Sequence, residues 1–388
     1  MLHAVAIRGY RSLRELVLPL RRLTVVTGAN GTGKSSLYRA LRLLADCGRG
    51  EVIASFAREG GVESARWAGP EHLGGARRTG TAQGGPRTGP VSIELGYAAD
   101  DFGYLIDLGL PQAGATAFEL DPEVKREVIF AGPVARPSTT LLRRARGFVE
   151  VASDAGHGFD ELTRTLAAHR SVLADWAGAV PELVAVRERL RDWRFYDGFR
   201  VDAGAASRRP QVGTRTPVLA DDGADLAAAV QTILETGTDD LARAVAEAFD
   251  GASVSVSVAD GLFDLQLHQR GMLRPLRSAE ISDGTLRFLL WAAALLSPAP
   301  PSLMVLNEPE TSLHPDLVRP LATLIEEAAT RTQVIVVTHS QALRECLRAA
   351  PLGSDDDAWE IRLCKDWGET KVADQGLLTT PPWDWGKR

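Results

Sequence analysis

Two apolar periodicities alternate along the chain. Short unbroken apolar runs predict buried strands, and residues three and four apart after them predict one face of a helix. Leu23-Thr24-Val25-Val26-Thr27 is the first such run, and Leu37, Ala40, Leu41 and Leu44 mark the helix after it. Near the other end Ser302 to Leu306 and Gln333 to Thr338 are buried strands. Between them Leu317, Leu321, Leu324, Ile325 and Ala328 form a helical face, with Pro320 in its first turn or at a kink. Strand and helix in alternation give an α/β fold.

Elsewhere the period is two. Leu2 to Ile7 and Leu16 to Leu18 read as strands, Val91 to Tyr97 with Gly103 to Leu108 as an antiparallel hairpin, and Ser253 to Val258 with Leu262 to Leu267 as another around Asp260-Gly261. Trp359 to Lys365 and Thr370 to Asp374 form a closing pair. Lys125 to Phe130 and Gly147 to Val151 suggest two short strands, with Arg143, Arg144 and Arg146 between them as an exposed turn. From Asp160 to Trp193 the spacing of Leu162, Leu166, Leu173, Trp176, Leu183, Val186 and Leu190 predicts two helices separated at Gly178 to Pro181. Glu51 to Gly61 is helical, Asp225 and Thr238 are candidate helix caps, and Gly69 to Pro90 is a glycine-rich surface loop carrying Arg77, Arg78 and Arg87.

Composition narrows the classes. Of 388 residues 45% are hydrophobic and 24% charged, which suits a globular protein with an ample core and excludes a disordered one. The net charge of -6 argues against a surface coated for nucleic acid, though not against a local basic patch. Arg194 to Thr216 is the candidate patch. Its Arg200, Arg208, Arg209 and Arg215 lie near Phe195, Tyr196 and Phe199, which either stack on single-stranded nucleic acid or anchor a connector to the core. Cys47, Cys346 and Cys364 have neither metal-ligand nor disulfide spacing. The amino terminus lacks a signal-like stretch, and Leu286 to Leu296 is too short to span a bilayer, so a cytoplasmic protein without membrane attachment is expected.

The chemistry is concentrated at the strand ends. Gly28-Ala29-Asn30-Gly31-Thr32-Gly33-Lys34-Ser35 fits G-x-x-x-x-G-K-[ST] between a strand and a helix, the context that motif requires. Its glycines let backbone N–H groups converge on phosphate, and the helix start adds partial positive charge. Lys34 is placed to reach the β- and γ-phosphates of ATP and Ser35 to ligate Mg²⁺, with Asn30, Gly31, Thr32, Gly33 and Ser36 completing the cradle. Ile281-Ser282-Asp283-Gly284-Thr285 opens a second helix and makes a second anion site from a hydroxyl and N–H groups. Glu308 follows the apolar strand ending at Asn307, where α/β sheets place ligands. His339 follows the next strand.

These motifs, in this order, resemble those of the RecF/SMC-like branch of the ABC-type P-loop ATPases. Ile7-Arg8-Gly9-Tyr10-Arg11-Ser12 resembles the turn with which such chains open. Ser282 and Gly284 resemble the signature, Leu303 to Glu308 the Walker B strand, Pro309 to Pro315 the D-loop, and His339 the switch histidine. The resemblance implies an ATPase head, with an antiparallel β layer and an inserted lobe of helices and strands. Residues 1–110 and 251–388 would form its two parts and 111–250 the insertion. It also implies ATP and Mg²⁺ as ligands, Glu308 as general base, His339 on the γ-phosphate, and Ser282 and Gly284 acting in trans in an ATP-dependent homodimer. The related overcoming-lysogenization-defect ATPases carry a nuclease domain after the head, for which the tail here is too short.

One residue departs from the pattern. The aspartate expected before the glutamate is Asn307, whose neutral carbonyl oxygen faces the metal where a carboxylate is usual. Two functions are therefore expected as alternatives. One is an ATP hydrolase acting on DNA in repair or in defence against foreign DNA. The other is a slowly hydrolysing, ATP-gated subunit for a separately encoded effector.

Overall fold

The structure is a computed structural model, and it describes residues 1–71, 80, 89–112, 114, 116–153, 158–176, 178–348, 358–373, 375–376 and 380–386. The chain forms two compact units. One comprises Met1–Arg21, Thr27–Trp193 and Ile361–Arg388, the other Arg22–Val26 and Arg194–Glu360. Most of the loop expected at Gly69 to Pro90, with Arg77, Arg78 and Arg87, lies outside the described residues.

The first unit is built on an antiparallel sheet. It contains β1 (Leu2–Tyr10), β2 (Leu13–Pro19), β4 (Ile93–Ala99), β5 (Phe102–Gly109), β6 (Glu123–Ala131), β7 (Thr140–Ala145), β8 (Phe148–Ala152) and β9 (Phe159–Thr163), in the order β2-β1-β4-β5-β6-β7-β8-β9. β3 (Leu23–Gly28) leads through the phosphate-loop motif into helix α1 (Lys34–Arg49), and α2 (Val52–Arg58) follows. Leu37, Ala40, Leu41 and Leu44, the face expected from spacing, are all buried. Helix α3 (Pro181–Asp192) starts at the expected proline and buries Leu183, Val186 and Leu190.

Two expectations for this unit fail. Asp160 to Leu166 is not helical: Leu162 and Leu166 have helical spacing, but Phe159 to Thr163 pair antiparallel with β8, from Ala152↔Phe159 to Val149↔Thr163. Phe159 lies under the Arg143 guanidinium, 4.2 Å from its ring centroid, so sheet pairing and this cation–π contact override the spacing. Arg143 and Arg144 are likewise not in an exposed turn. They lie in β7, and Arg144, directly across from Glu127 of β6, is fully buried. Glu127 accepts hydrogen bonds from Arg144 Nη1 (2.6 Å), Tyr104 Oη (2.6 Å), Ser171 Oγ (2.6 Å) and the Val172 N–H (2.9 Å), while Arg144 donates to the carbonyls of Arg146, Ala167 and Arg170. The pair is tolerated in the core because nearly every polar atom finds a partner.

The second unit holds a parallel sheet and a helical core. β10 (Arg194–Asp197), β15 (Leu303–Asn307), β16 (Gln333–Val337) and the start of β3 lie side by side in that order, all parallel. Leu303 to Leu306 and Val334 to Val337 are all buried, as strands covered on both faces must be. Helices α4 (Leu226–Leu234), α5 (Asp240–Ala248), α6 (Asp283–Leu295), α7 (Val318–Arg331) and α8 (Gln341–Arg348) belong to this unit, with Pro320 in the first turn of α7. Asp225 precedes α4, but its carboxylate bonds to the Ala220 N–H instead of capping the helix, and Asp239, not Thr238, is the residue before α5. A smaller sheet pairs β12 (Ser253–Ala259) with β13 (Leu262–His268), and the short β11 (Gln211–Val212) and β14 (Leu276–Arg277) pair with β13. Phe195, Tyr196 and Phe199 are buried, with Phe199 4.8 Å from Trp291 of α6 between ring centroids. These aromatics anchor a connector, and none is free to stack on a nucleic acid.

The chain closes with β17 (Ala358–Asp366) and β18 (Glu369–Val372), an antiparallel pair with Leu363↔Val372 in register. No described helix is long and apolar enough to cross a membrane. Cys47, Cys346 and Cys364 are free thiols.

Candidate nucleotide site

In the first unit the loop before α1 has the shape its glycines permit. Gly28, Gly31 and Gly33 have φ of 151°, 78° and 106°, a region that side chains other than glycine's rarely enter. A Cβ on Gly33 would lie 2.2 Å from Thr370 Oγ1 and one on Gly28 2.6 Å from the Leu363 carbonyl, so both glycines are also required by packing. Gly33 precedes α1 without a side-chain cap, and the first turn has no acidic residue, which leaves a helix start suited to an anion. Lys34 is buried, and its ammonium donates to the carbonyls of Gly28 (2.6 Å) and Ala29 (3.2 Å). Asn30, Gly31 and Ser35 are exposed and Ser36 is half-buried, while Thr32 is buried and donates to the Ala29 carbonyl at 2.8 Å. This cradle fits a polyphosphate.

The loop is tied down from a place the sequence did not suggest. Thr370 of β18 is fully buried, donates from Oγ1 to the Thr32 carbonyl (2.7 Å) and lies 2.8 Å from Ser12 Oγ. No local pattern in Thr370 to Asp374 marks that role.

In the second unit the strand ends form a level row. Asp197 is opposite Asn307, Asn307 opposite Val337, and Val337 opposite Val26, two residues before Gly28. Glu308 leaves β15 with φ of 49°, its N–H donating to the Val337 carbonyl at 2.7 Å. A left-handed glutamate is uncommon and is typical of strained functional positions. Its carboxylate Oε1 is 3.3 Å from His339 Nδ1, and both side chains are open to solvent. Glu310 accepts from Thr338 Oγ1 (2.5 Å) and the Ser340 N–H (3.2 Å), locking the D-loop-like turn to the end of β16. Its other oxygen, Oε2, is buried without a hydrogen-bond partner among the described residues, and such an atom calls for a donor or a cation.

The turn at Ser282 caps α6, with Oγ accepting from the Thr285 N–H at 3.3 Å and donating to Thr285 Oγ1 at 2.8 Å. Nothing lies within 4 Å of a Cβ built on Gly284, so its face is open. Arg208 braces the turn from behind, bonding the carbonyls of Ile281 (2.7 Å) and Val201 (2.7 Å) and the Asp283 carboxylate (2.5 Å). The sequence marked Arg208 only as part of a basic stretch.

A family model described as "AAA domain, putative AbiEii toxin, Type IV TA system" matches residues 23–345. The chain belongs to that family. The matched stretch is an AAA domain. Among solved structures it is similar to an Smc head bound to the C-winged helix domain of ScpA, at 14% identity and a TM-score of 0.50, over 97% of this chain and 98% of that one. The SMC head domain from Thermotoga maritima aligns at 14% identity and a TM-score of 0.48, over 97% of this chain and 99% of that one. The Smc head with an extended coiled coil, bound to the C-terminal domain of ScpA derived from Pyrococcus furiosus, aligns at 12% and 0.49, over 97% of this chain and 96% of that one. At 14% identity and a TM-score of 0.50, the likeness to the first of these is one of fold: an α/β P-loop NTPase head with a large antiparallel sheet. No curated protein matches the chain significantly.

Proposed function

We propose that the protein is a Mg²⁺-dependent ATP hydrolase working as a nucleotide-sandwich homodimer, and that it acts on DNA in repair or in defence against foreign DNA. The observation that carries the reading is Glu308. It is a carboxylate held at positive φ beyond a buried strand, open to solvent and 3.3 Å from a histidine nitrogen. In this reading the N–H groups from Asn30 to Ser36 and the Lys34 ammonium hold the phosphates, and Ser35 with Asn307 faces the metal. Mg²⁺, when bound, neutralises charge on the phosphoryl oxygens. Glu308 takes a proton from the attacking water as its oxygen bonds to the γ-phosphorus and ADP leaves. His339 is oriented by Glu308 through Nδ1, which leaves Nε2 for the γ-phosphate. Ser282 and Gly284 contact the γ-phosphate of the partner copy, in keeping with the open face at Gly284. An isolated chain is then nearly inactive, and the rate rises more steeply than linearly with enzyme concentration at dilute protein.

A second reading is favoured by Asn307. With a neutral amide in that seat, hydrolysis is slow, nucleotide mainly sets the dimeric state, and a separately encoded effector does the chemistry. Steady-state ATP hydrolysis with Mg²⁺, with and without DNA, separates the two. Glu308→Gln is expected to lower turnover at least about a hundredfold and to trap an ATP-bound dimer visible by light scattering. Turnover unchanged in Glu308→Gln would remove Glu308 from the role of base.

A further inference from the structure

The neutral residue at 307 is not alone at its strand end. β10 runs parallel to β15 with Asp197 directly opposite Asn307, and Asn307 Nδ2 donates to Asp197 Oδ1 at 2.9 Å. That bond fixes the amide: with Nδ2 on the carboxylate, Oδ1 is turned away from it as a free acceptor. Asp197 is exposed and has no ion pair among the described residues, so its negative charge is not cancelled by the protein. The two side chains present hard oxygen donors and one net negative charge at the carboxyl edge of the sheet, immediately before Glu308. Hard oxygen and a single carboxylate suit Mg²⁺, which keeps most of its water and takes one or two protein ligands beside phosphate.

The geometry points to a transposed charge: Asp197 supplies, from the neighbouring strand, the carboxylate toward the nucleotide-bound metal that residue 307 lacks, and Asn307 is the positioning residue that holds it there. The inference rests on the ATPase reading above. It also accounts for the asparagine. A carboxylate at 307 would face that of Asp197 at hydrogen-bond distance with no proton between them, whereas an amide donates to it. Carboxylate and amide are a matched pair, and the pair carries the charge of a single aspartate.

The test measures nucleotide affinity rather than turnover. Binding of a fluorescent, non-hydrolysable ATP analogue is titrated with Mg²⁺ and again with EDTA, and the ratio of the two affinities reports the metal's contribution. Asp197→Asn is expected to cut that ratio about tenfold, the pull of one unit charge on a divalent ion across a water layer, while leaving the EDTA affinity unchanged. Exchanging the pair, Asp197→Asn with Asn307→Asp, restores the charge and the hydrogen bond and is expected to return the ratio to within about twofold of wild type. A ratio unchanged in Asp197→Asn overturns the proposal, as does a folded exchange variant that stays as weak as Asp197→Asn. A wild-type protein that binds the analogue equally with and without Mg²⁺ also overturns it while leaving ATP binding intact. One that binds no analogue at all removes the ATPase reading and this inference with it.

Discussion

Replacing Arg144 by Met tests the antiparallel core directly, because its two descriptions demand different results. In an exposed turn the substitution would change stability by no more than about 0.5 kcal/mol. In β7 it leaves the fully buried Glu127 carboxylate without its counter-charge and the carbonyls of Arg146, Ala167 and Arg170 without the guanidinium. Three donors to Glu127 remain, from Tyr104, Ser171 and Val172, which softens the loss without replacing the charge. Breaking a buried pair from one side costs about 3–5 kcal/mol. With a urea slope of about 3 kcal/mol/M, the unfolding midpoint falls by about 1 M or more. The assay is urea unfolding followed by tryptophan fluorescence and by hydrogen exchange of the β6 and β7 amides. Adding Glu127→Gln to Arg144→Met removes the stranded charge and is expected to recover at least about 1 kcal/mol, a coupling typical of residues in one network. A midpoint unmoved in the single variant, or a double variant less stable by the sum of the two, would refute the buried pair.

Two further predictions concern the first unit. Thr370→Val keeps the shape at the back of the phosphate loop but deletes the bonds to the Thr32 carbonyl and Ser12, worth about 2 kcal/mol together; ATP-analogue affinity should drop by up to about thirtyfold, and titration calorimetry showing unchanged affinity would deny the loop its anchor. Asp101 is held by a bidentate pair with Arg189 (2.6 Å each), which keeps its carboxyl well below the usual carboxylate range. Its contribution is therefore complete above about pH 4 and is lost as pH falls through the folded-state value. Half exposed, the pair is worth less than about 1 kcal/mol, so Asp101→Asn should lower the melting temperature slightly at pH 7 and progressively less below pH 4; an equal gap at pH 7 and pH 2.5 would contradict this.

What the sequence determined by itself was whatever is written in neighbouring residues. The run Leu303 to Leu306 specifies a doubly buried strand, Gly28 to Ser35 a loop whose turns need glycine at Gly28, Gly31 and Gly33, and Ser282 a helix cap, because backbone dihedrals and hydrophobic period are local properties. The order of those motifs was enough for the family and the fold. Only the tertiary structure decided what crosses between distant segments. Asn307 meets an aspartate 110 positions away, and Thr32 is tied to a threonine 338 positions away. Arg144 is in the core although arginine rarely is, since a carboxylate on the adjacent strand and three carbonyls accept its donors. Leu162 and Leu166 kept helical spacing yet the segment became a strand, because β8 offered it a ladder. Strand pairing and charge partnership are properties of two segments at once, and no pattern within either one contains them.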